Sequence, residues 1–335
     1  MSTINHLDVY KDNLVVVHQG PDQPQISIVM PVYNCEKFIV EAVTSALAQQ
    51  NVIAEILISD DASTDNTFRL AYETVINYIG KLELKHTVIM RIGTTRLVRD
   101  HLHLLANKAS CDLVCQAHGD DVSHPTRCLA LVNAFNDADK KASMIFSTAL
   151  IIDPEGKVLE KPNNLDFSKI PMVSVPYSKV ITAENEMLVG SNMAWRKSSF
   201  EKFPALTTAY CLYGHDRVMT FRSILVGGCY ILDAPLLNRR FHDHNLHKEL
   251  ISSSHGSINR FNSQLIRLAF FSAIKNDLIF LKEHGLIDKT NFDQICKNID
   301  EIIDQVIKFL ISATNTLVTE GYVNKWINQS LHLNT

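Results

Sequence analysis

The sequence predicts an α/β fold, a mostly parallel open sheet with flanking helices in a Rossmann-like arrangement, followed by a C-terminal helical appendage. Three observations predict it. From Gln25, short apolar β runs alternate with segments of helical period. Carboxylate pairs stand just after two of those runs, at Asp60-Asp61 and Asp120-Asp121. From Ser257 onward the pattern turns helical throughout. A βαβα order of this kind implies parallel pairing with right-handed crossovers.

The first stretch, Met1 to Gln25, carries no basic region followed by a long apolar core, and Leu14 to Val17 is too short for a signal peptide or a membrane span. It is expected to add an edge strand, with Gly20-Pro21 turning the chain into the domain proper. Ile26 to Met30 is a compact β run that Pro31 is expected to close, and Asn34 is placed to cap a helix carrying Phe38, Ile39, Ala42, Val43, Ala46 and Leu47. A second strand, Glu55 to Ser59, leads into Asp60-Asp61-Ala62-Ser63-Thr64-Asp65, where Ser63 suits the N-cap of a helix bearing Phe68, Ala71, Val75 and Ile79. His86 to Ile92 is a third strand, and a helix near Leu102 to Ala109 precedes the central strand, Asp112 to Ala117. That strand is apolar enough to be buried on both faces.

Composition bounds the function. With 335 residues, 46% apolar, 20% charged and a net charge of -4, the chain reads as an ordinary globular protein of one large domain or two, with no nucleic-acid surface. The 7 cysteines are scattered, and Cys111 and Cys115 lack a second pair that would complete a zinc site, so they read as reduced core thiols.

Chemistry concentrates at the ends of strands. Open α/β sheets bind ligands at the carboxyl ends of their strands, so Asp120 and Asp121 meet solvent and substrate together. Hard oxygen ligands suit Mg²⁺ or Mn²⁺, which neutralise substrate phosphates. Gly119-Asp120-Asp121 is equally good turn chemistry. A carboxylate after the second strand, Asp61, is where such sites place an acceptor for a base or ribose; Ser63 and Asp65 serve as well to cap a helix and neutralise its dipole.

Taken together, Ile26-Ser27-Ile28-Val29-Met30-Pro31-Val32-Tyr33-Asn34, Glu55 to Asp65 and Gly119-Asp120-Asp121 resemble the family 2 glycosyltransferases, with the GT-A nucleotide-diphosphosugar fold. Gly190 to Lys197 with Phe200 is similar to that family's acceptor-side strand, and Gly214-His215-Asp216 to its catalytic-base motif. The likeness runs from about Gln25 to His247. It implies that Pro31, Tyr33 and Asp61 hold the nucleotide, Asp61 facing the uracil of a UDP-sugar, that Asp120 and Asp121 face ribose and metal, and that Asp216 is the base. Many members carry an aspartate where this chain has His118, which leaves open which of His118, Asp120 and Asp121 touches the ion; Asp121 is favoured. Arg240, His242 and Asn245 resemble a motif at the end of the catalytic domain whose histidine completes the metal shell, so His242 is the second expected ligand, with His244 and His247 unassigned.

The remaining segments continue the pattern. Ala142 to Asp153 reads as a long strand returning through Asp153-Pro154-Glu155-Gly156 to Val158 and Leu159 as a hairpin. Lys161 to Lys179, with Pro162, Pro171 and Pro176, reads as a surface loop near the acceptor. A helix from Asp216 stops at Gly227-Gly228, and Leu236 to Phe241 is a strand. The tail holds two helices, one through Leu265 to Ile279 and one through Ile299 to Leu317, too charged for a membrane span; they can pack on the domain, form a homodimer interface, or touch a membrane surface.

The expected organisation is an N-terminal extension (1–24), a glycosyltransferase domain (25–250) and a helical region (255–335). The expected enzyme is a cytoplasmic, metal-dependent, inverting hexosyl- or N-acetylhexosaminyltransferase, peripheral on the cytoplasmic face of the inner membrane. It would use a nucleotide-sugar donor and a saccharide or glycolipid acceptor, as in bacterial surface polysaccharide synthesis. Two rivals remain: a metal-dependent sugar nucleotidyltransferase, disfavoured because Pro31 to Phe38 lacks the glycines of a phosphate loop, and a non-catalytic sugar-nucleotide-binding protein, which would not need Asp216.

Overall fold

The computed structural model describes residues 7–81, 83–97, 100–137, 141–160, 172–174, 190–206, 215–242 and 256–319. The chain divides into two compact units, Met1–Thr207 with Met219–Phe241, and Thr208–Val218 with His242–Thr335.

The first unit is built on one sheet. Four parallel strands form its centre: β2 (Ile26–Val32), β3 (Ala54–Asp60), β4 (Thr87–Ile92) and β5 (Leu113–Gln116). β2 and β3 are buried almost throughout, as their continuous apolar runs require. Each fully buried Ile or Leu contributes roughly 1.5–3 kcal/mol relative to exposure. β1 (Val15–His18) pairs antiparallel with β4 and supplies the expected edge strand. Beyond β5 the pairing becomes mixed, through β10 (Met193–Arg196), β7 (Met144–Ile152), β11 (Cys229–Arg240) and the two-residue β6 (Val122–Ser123). β8 (Val158–Glu160) returns against β7 as the expected hairpin, and β9 (Met172–Ser174) pairs with β11. The spatial order β4-β3-β2-β5 matters most for function. The chain winds outward from β2 to β4, then returns to place β5 on the other side of β2. The gap between β2 and β5 is therefore the topological switch point, where the loops diverge and leave a crevice.

Helix α1 (Ile39–Leu47) buries Ile39, Ala42, Val43, Ala46 and Leu47, and α2 (Thr67–Ile79) buries Phe68, Ala71 and Val75, as their apolar period predicts. α3 (Asp100–Lys108) and α4 (Arg127–Phe135) follow β4 and β6. Three local expectations are corrected. Pro31 does not close β2; the strand continues to Val32 in register with Asp60. The Val29 carbonyl accepts the Ala117 N–H on the β5 side, so Pro31 faces that side too, beyond the end of β5, and its missing N–H leaves no ladder bond unmade. Asn34 does not cap α1, nor Ser63 α2, whose flanking residues make no side-chain cap bond. Instead Asn34 N–H donates to Ser63 Oγ at 2.9 Å, and Thr64 N–H donates to Asn34 Oδ1 at 2.9 Å. These polar side chains stitch the β2 and β3 loops to each other. β11 also begins well before Leu236, because its first half pairs in parallel with β7 around a bulge near Pro235.

Helix α5 (His215–Val226) ends where the Gly227 N–H bonds the Ser223 carbonyl and Gly228 takes a φ of 108°, the expected glycine stop. In the second unit α6 (Gly256–Glu283) and α7 (Lys289–Thr319) pack along each other. Phe270, Phe271, Ile274 and Leu278 of α6 and Ile299 and Val306 of α7 are buried, and Lys275 pairs with Asp300 at 2.5 Å. Among the described residues no helix is long and apolar enough to cross a membrane. His244, His247 and most of the Lys161–Lys179 segment lie outside the described residues.

Candidate active site at the sheet switch point

Two side-chain groups flank the loop that leaves β2. On the β5 side, His118, Asp120 and Asp121 present ligand atoms within 4.8 Å of one another. The loop that carries them is pressed against its neighbour: a β-carbon on Gly119 would overlap Cys35 Sγ and stand 3.0 Å from Val32 Cγ1. Glycine is needed there for close approach. Gly119→Ala should therefore displace the loop, with a stability loss of about 1–3 kcal/mol and weakened Mn²⁺ binding in calorimetry; wild-type affinity would show the loop can yield.

Asp121 is 5% exposed, and its Oδ1 accepts the Arg240 N–H at 2.8 Å. Burial first, then the neighbouring Asp120 charge, raises its carboxyl above the usual carboxylate range. A buried carboxylate beside a second, half-buried one gains by taking up a cation. Oδ2 of Asp121 lies 3.8 Å from His118 Nδ1. His118 Nε2 meets Gln116 Nε2 at 2.8 Å, and Gln116 Oε1 is buried with no hydrogen-bond partner among the described residues. Carboxylates with an imidazole fit Mn²⁺ better than a purely oxygen-seeking ion. Cys35 also stands near Asp120, but burial and then that charge push its thiol up to about 12, so it offers no thiolate ligand.

Arg240 holds the loop from below. Its guanidinium is 2% exposed; Nε donates to the Asp120 carbonyl at 3.0 Å, Nη1 to the Pro154 carbonyl at 2.7 Å, and Nη2 pairs with Glu41 at the start of α1. One buried cation thus joins β11, the acidic loop, the β7–β8 turn and α1.

On the β3 side, Asp61 donates its N–H to the Val32 carbonyl at 2.9 Å, and its Oδ1 accepts the Leu97 N–H at 2.7 Å. Tyr33 is exposed at the same place, with the Arg96 guanidinium 3.6 Å from its ring centroid and Arg96 Nε 3.9 Å from Asp61 Oδ2. An exposed ring paired with a planar cation is a surface on which a nucleobase can stack, and a carboxylate beside it accepts from a base or ribose. Behind Asp61, His101 Nε2 meets Ser59 Oγ at 2.7 Å; burial drives this imidazole down to about 4, so it is neutral at pH 7. Asp60 is different from its neighbour. It is fully buried, with Oδ1 accepting the Ser63 N–H at 2.7 Å, and it shapes the turn. Pro31 is half-buried at the end of β2.

The structure therefore gathers Tyr33 and Asp61 on one side of Val32, and His118, Asp120 and Asp121 on the other. Asp216 lies in the first turn of α5, where its Oδ1 accepts the Arg217 N–H at 2.9 Å, and His242 is half-buried just past β11; both belong to the second compact unit. Arg96, Leu97, His101 and Gln116 are additions that no pattern in the sequence marked. Only the position of Gly93 to Leu97 after β4, at the same sheet edge, could have pointed to Arg96.

EpsE of Bacillus subtilis (strain 168), itself only provisionally assigned as a glycosyltransferase, is 32% identical over 133 residues, 40% of this chain and 46% of its own, so the chain spans under half of that relative. An uncharacterized glycosyltransferase of Rickettsia typhi (strain ATCC VR-144 / Wilmington) is 24% identical over 343 residues, covering 93% of this chain and 99% of its own. Among solved structures, S. aureus TarS 1-349 in complex with UDP-GlcNAc superposes with a TM-score of 0.53 at 18% identity, covering 86% of this chain and 81% of that one, and so shares the GT-A fold. The profile of glycosyl transferase family 2 matches residues 27–203, more than half of the chain, which therefore belongs to that family.

Proposed function

We propose that the enzyme transfers a sugar from a UDP-sugar to a hydroxyl of a saccharide or lipid-linked saccharide, with inversion and with a divalent cation. The observation that carries this is the placement, on the two sides of one switch point, of an aromatic ring with a cation and a carboxylate beside it and of a cluster suited to a diphosphate-bound cation. Tyr33 and Arg96 stack the base, and Asp61 accepts from it; uracil, whose imide N–H is a donor, suits a carboxylate. Pro31 lines the end of β2 beneath the base. Asp120 faces the ribose. Asp121, with His242 as second ligand and His118 beside it, would hold Mn²⁺ or Mg²⁺, and the ion would offset the charge of the departing diphosphate. Asp216 takes the proton of the acceptor hydroxyl as that oxygen attacks the anomeric carbon from the opposite face, and the carbon inverts. Residues 25–250 carry this machinery, with 1–24 and 255–335 as additions to it. Contact with the cytoplasmic face of a membrane would bring a lipid-linked acceptor to the site, and α6 and α7 offer a surface for a homodimer.

A thermal-shift screen of UDP, GDP and CDP with Mn²⁺ tests the donor assignment, since selective binding raises the melting temperature by mass action. UDP should give the largest shift. Asp61→Ala should then remove the preference for uracil, and Tyr33→Ala should cost about 1–3 kcal/mol of nucleotide affinity, the range for base stacking. An unchanged ranking in Asp61→Ala would reduce Asp61 to a loop residue. Slow release of free sugar from the donor, assayed without acceptor, separates a transferase from a binder.

A further inference from the structure

The chain before the family-matched residues is tied to the rim of the base pocket. Lys11 bridges Ile92 at the end of β4, and the Asp12 N–H donates to the Ile92 carbonyl at 2.8 Å. Asp12 takes a φ of 55°, a left-handed conformation that aspartate tolerates better than most residues. Its carboxylate then reaches the β4–α3 loop. There Oδ1 accepts the Thr94 N–H at 3.1 Å, and Oδ2 accepts the Thr94 hydroxyl. Oδ1 also takes a charge-assisted bond of 2.7 Å from Arg91 Nη2, a guanidinium only 6% exposed. The Thr94 bonds hold the Asp12 carboxyl below its ordinary range, so it stays a charged acceptor.

The loop is thus pinned at three points: the Gly93 N–H on the Asp60 carbonyl at 2.8 Å, Thr94 on Asp12, and the Leu97 N–H on Asp61 Oδ1 at 2.7 Å. Arg96 lies between the last two pins, over Tyr33. Gly93 has no slack to give, since a β-carbon there would stand 3.0 Å from the Asp60 carbonyl oxygen. A loop held on both sides of Arg96 fixes the backbone from which that guanidinium lies over Tyr33, so the cost of ordering the loop does not fall on binding.

We propose that Asp12 is a positioning residue for the donor nucleotide: the N-terminal segment braces the 93–97 loop and thereby sets the nucleotide affinity of the Tyr33, Arg96 and Asp61 pocket. The proposal rests on the reading of that pocket as the base site. The test is calorimetric titration of the full chain with UDP and, separately, with Mn²⁺ in the absence of nucleotide. Asp12→Ala is expected to raise the UDP Kd about tenfold, the cost of ordering one or two side chains during binding, while Mn²⁺ affinity stays at the wild-type value. Asp12→Asn, which keeps an acceptor for Thr94, should restore most of the affinity. Thr94→Val, at an exposed position, removes only the hydroxyl arm and should give a smaller loss in the same direction; it serves as the test should Asp12→Ala fail to fold. Wild-type UDP affinity in Thr94→Val and Asp12→Ala overturns the brace, as does a parallel fall in UDP affinity, Mn²⁺ affinity and melting temperature. Tyr33→Ala separates the two ideas: if it too binds UDP normally, the base-site reading fails, and if it alone loses UDP, only the brace does.

Discussion

Asp216→Asn is expected to lower the transfer rate by roughly 10²- to 10⁴-fold, the usual contribution of a positioned general base, while donor affinity, Mn²⁺ affinity and melting temperature stay near wild type. Asp216 stands in the first turn of α5, where the exposed N–H groups favour an anion, and its Oδ1 accepts the Arg217 N–H. Asparagine keeps the size of the side chain and an oxygen for that N–H, and it is itself a good residue at a helix start. The helix therefore loses little. What asparagine cannot do is accept a proton from an attacking hydroxyl. A residue with only a helix-end role would leave the rate almost unchanged, so rate and affinity measured on one preparation decide the matter. Loss in kcat and kcat/KM together, without a change in donor Kd, is the signature of an interaction made in the transition state.

How much of this could be read from the chain alone depended on the range of the interaction. Apolar period is local, and it placed α1, α2 and the parallel strands, because Ile39, Val43, Phe68 and Val75 bury the faces their spacing dictates. Polar loop residues were legible in place but not in partner. Asn34 and Ser63 each looked like a helix cap, yet they bond one another's loops across about thirty residues of sequence, which no local rule can anticipate. Pro31 read as a stop because the missing N–H is a local fact, while the end of β5 that makes it harmless is not. β11 was caught only from Leu236, since Asp233 and Pro235 break the apolar pattern where a bulge absorbs them. The acidic loop declared itself through Gly119-Asp120-Asp121. Arg240 stands out in the sequence beside His242 and Asn245, but its bonds to the acidic loop, like Gln116 and the Arg96 that covers Tyr33, emerge only in three dimensions.

Asp121→Asn is expected to weaken Mn²⁺ binding by at least the roughly 10- to 100-fold that loss of even an outer-shell partner costs, and at the same time to leave the metal-free protein as stable as wild type or more so. The two effects have opposite signs because the carboxylate is costly without its cation. Asp121 is buried beside Asp120, and its carboxyl is raised in the folded protein above the unfolded value of about 3.9. A raised carboxyl contributes stability that is fully present below the unfolded pKa and is lost as pH rises through the folded one. At neutral pH, above the unfolded value, the unfolded chain gives up this proton more readily than the metal-free fold does, so the carboxyl works against the metal-free fold. Asparagine removes that charge and still offers an oxygen to the Arg240 N–H, whereas alanine would leave this buried donor unpaired at a cost of about 1–3 kcal/mol. The same linkage predicts that Mn²⁺ raises the melting temperature more at pH 7 than at pH 5, because proton and cation compete for one site. Melting curves of wild type and Asp121→Asn, with and without Mn²⁺ at both pH values, check all of this. If the metal-free variant melts well below wild type, the carboxylate stabilises the fold on its own account; if Mn²⁺ binds Asp121→Asn as tightly as wild type, the cation is held elsewhere.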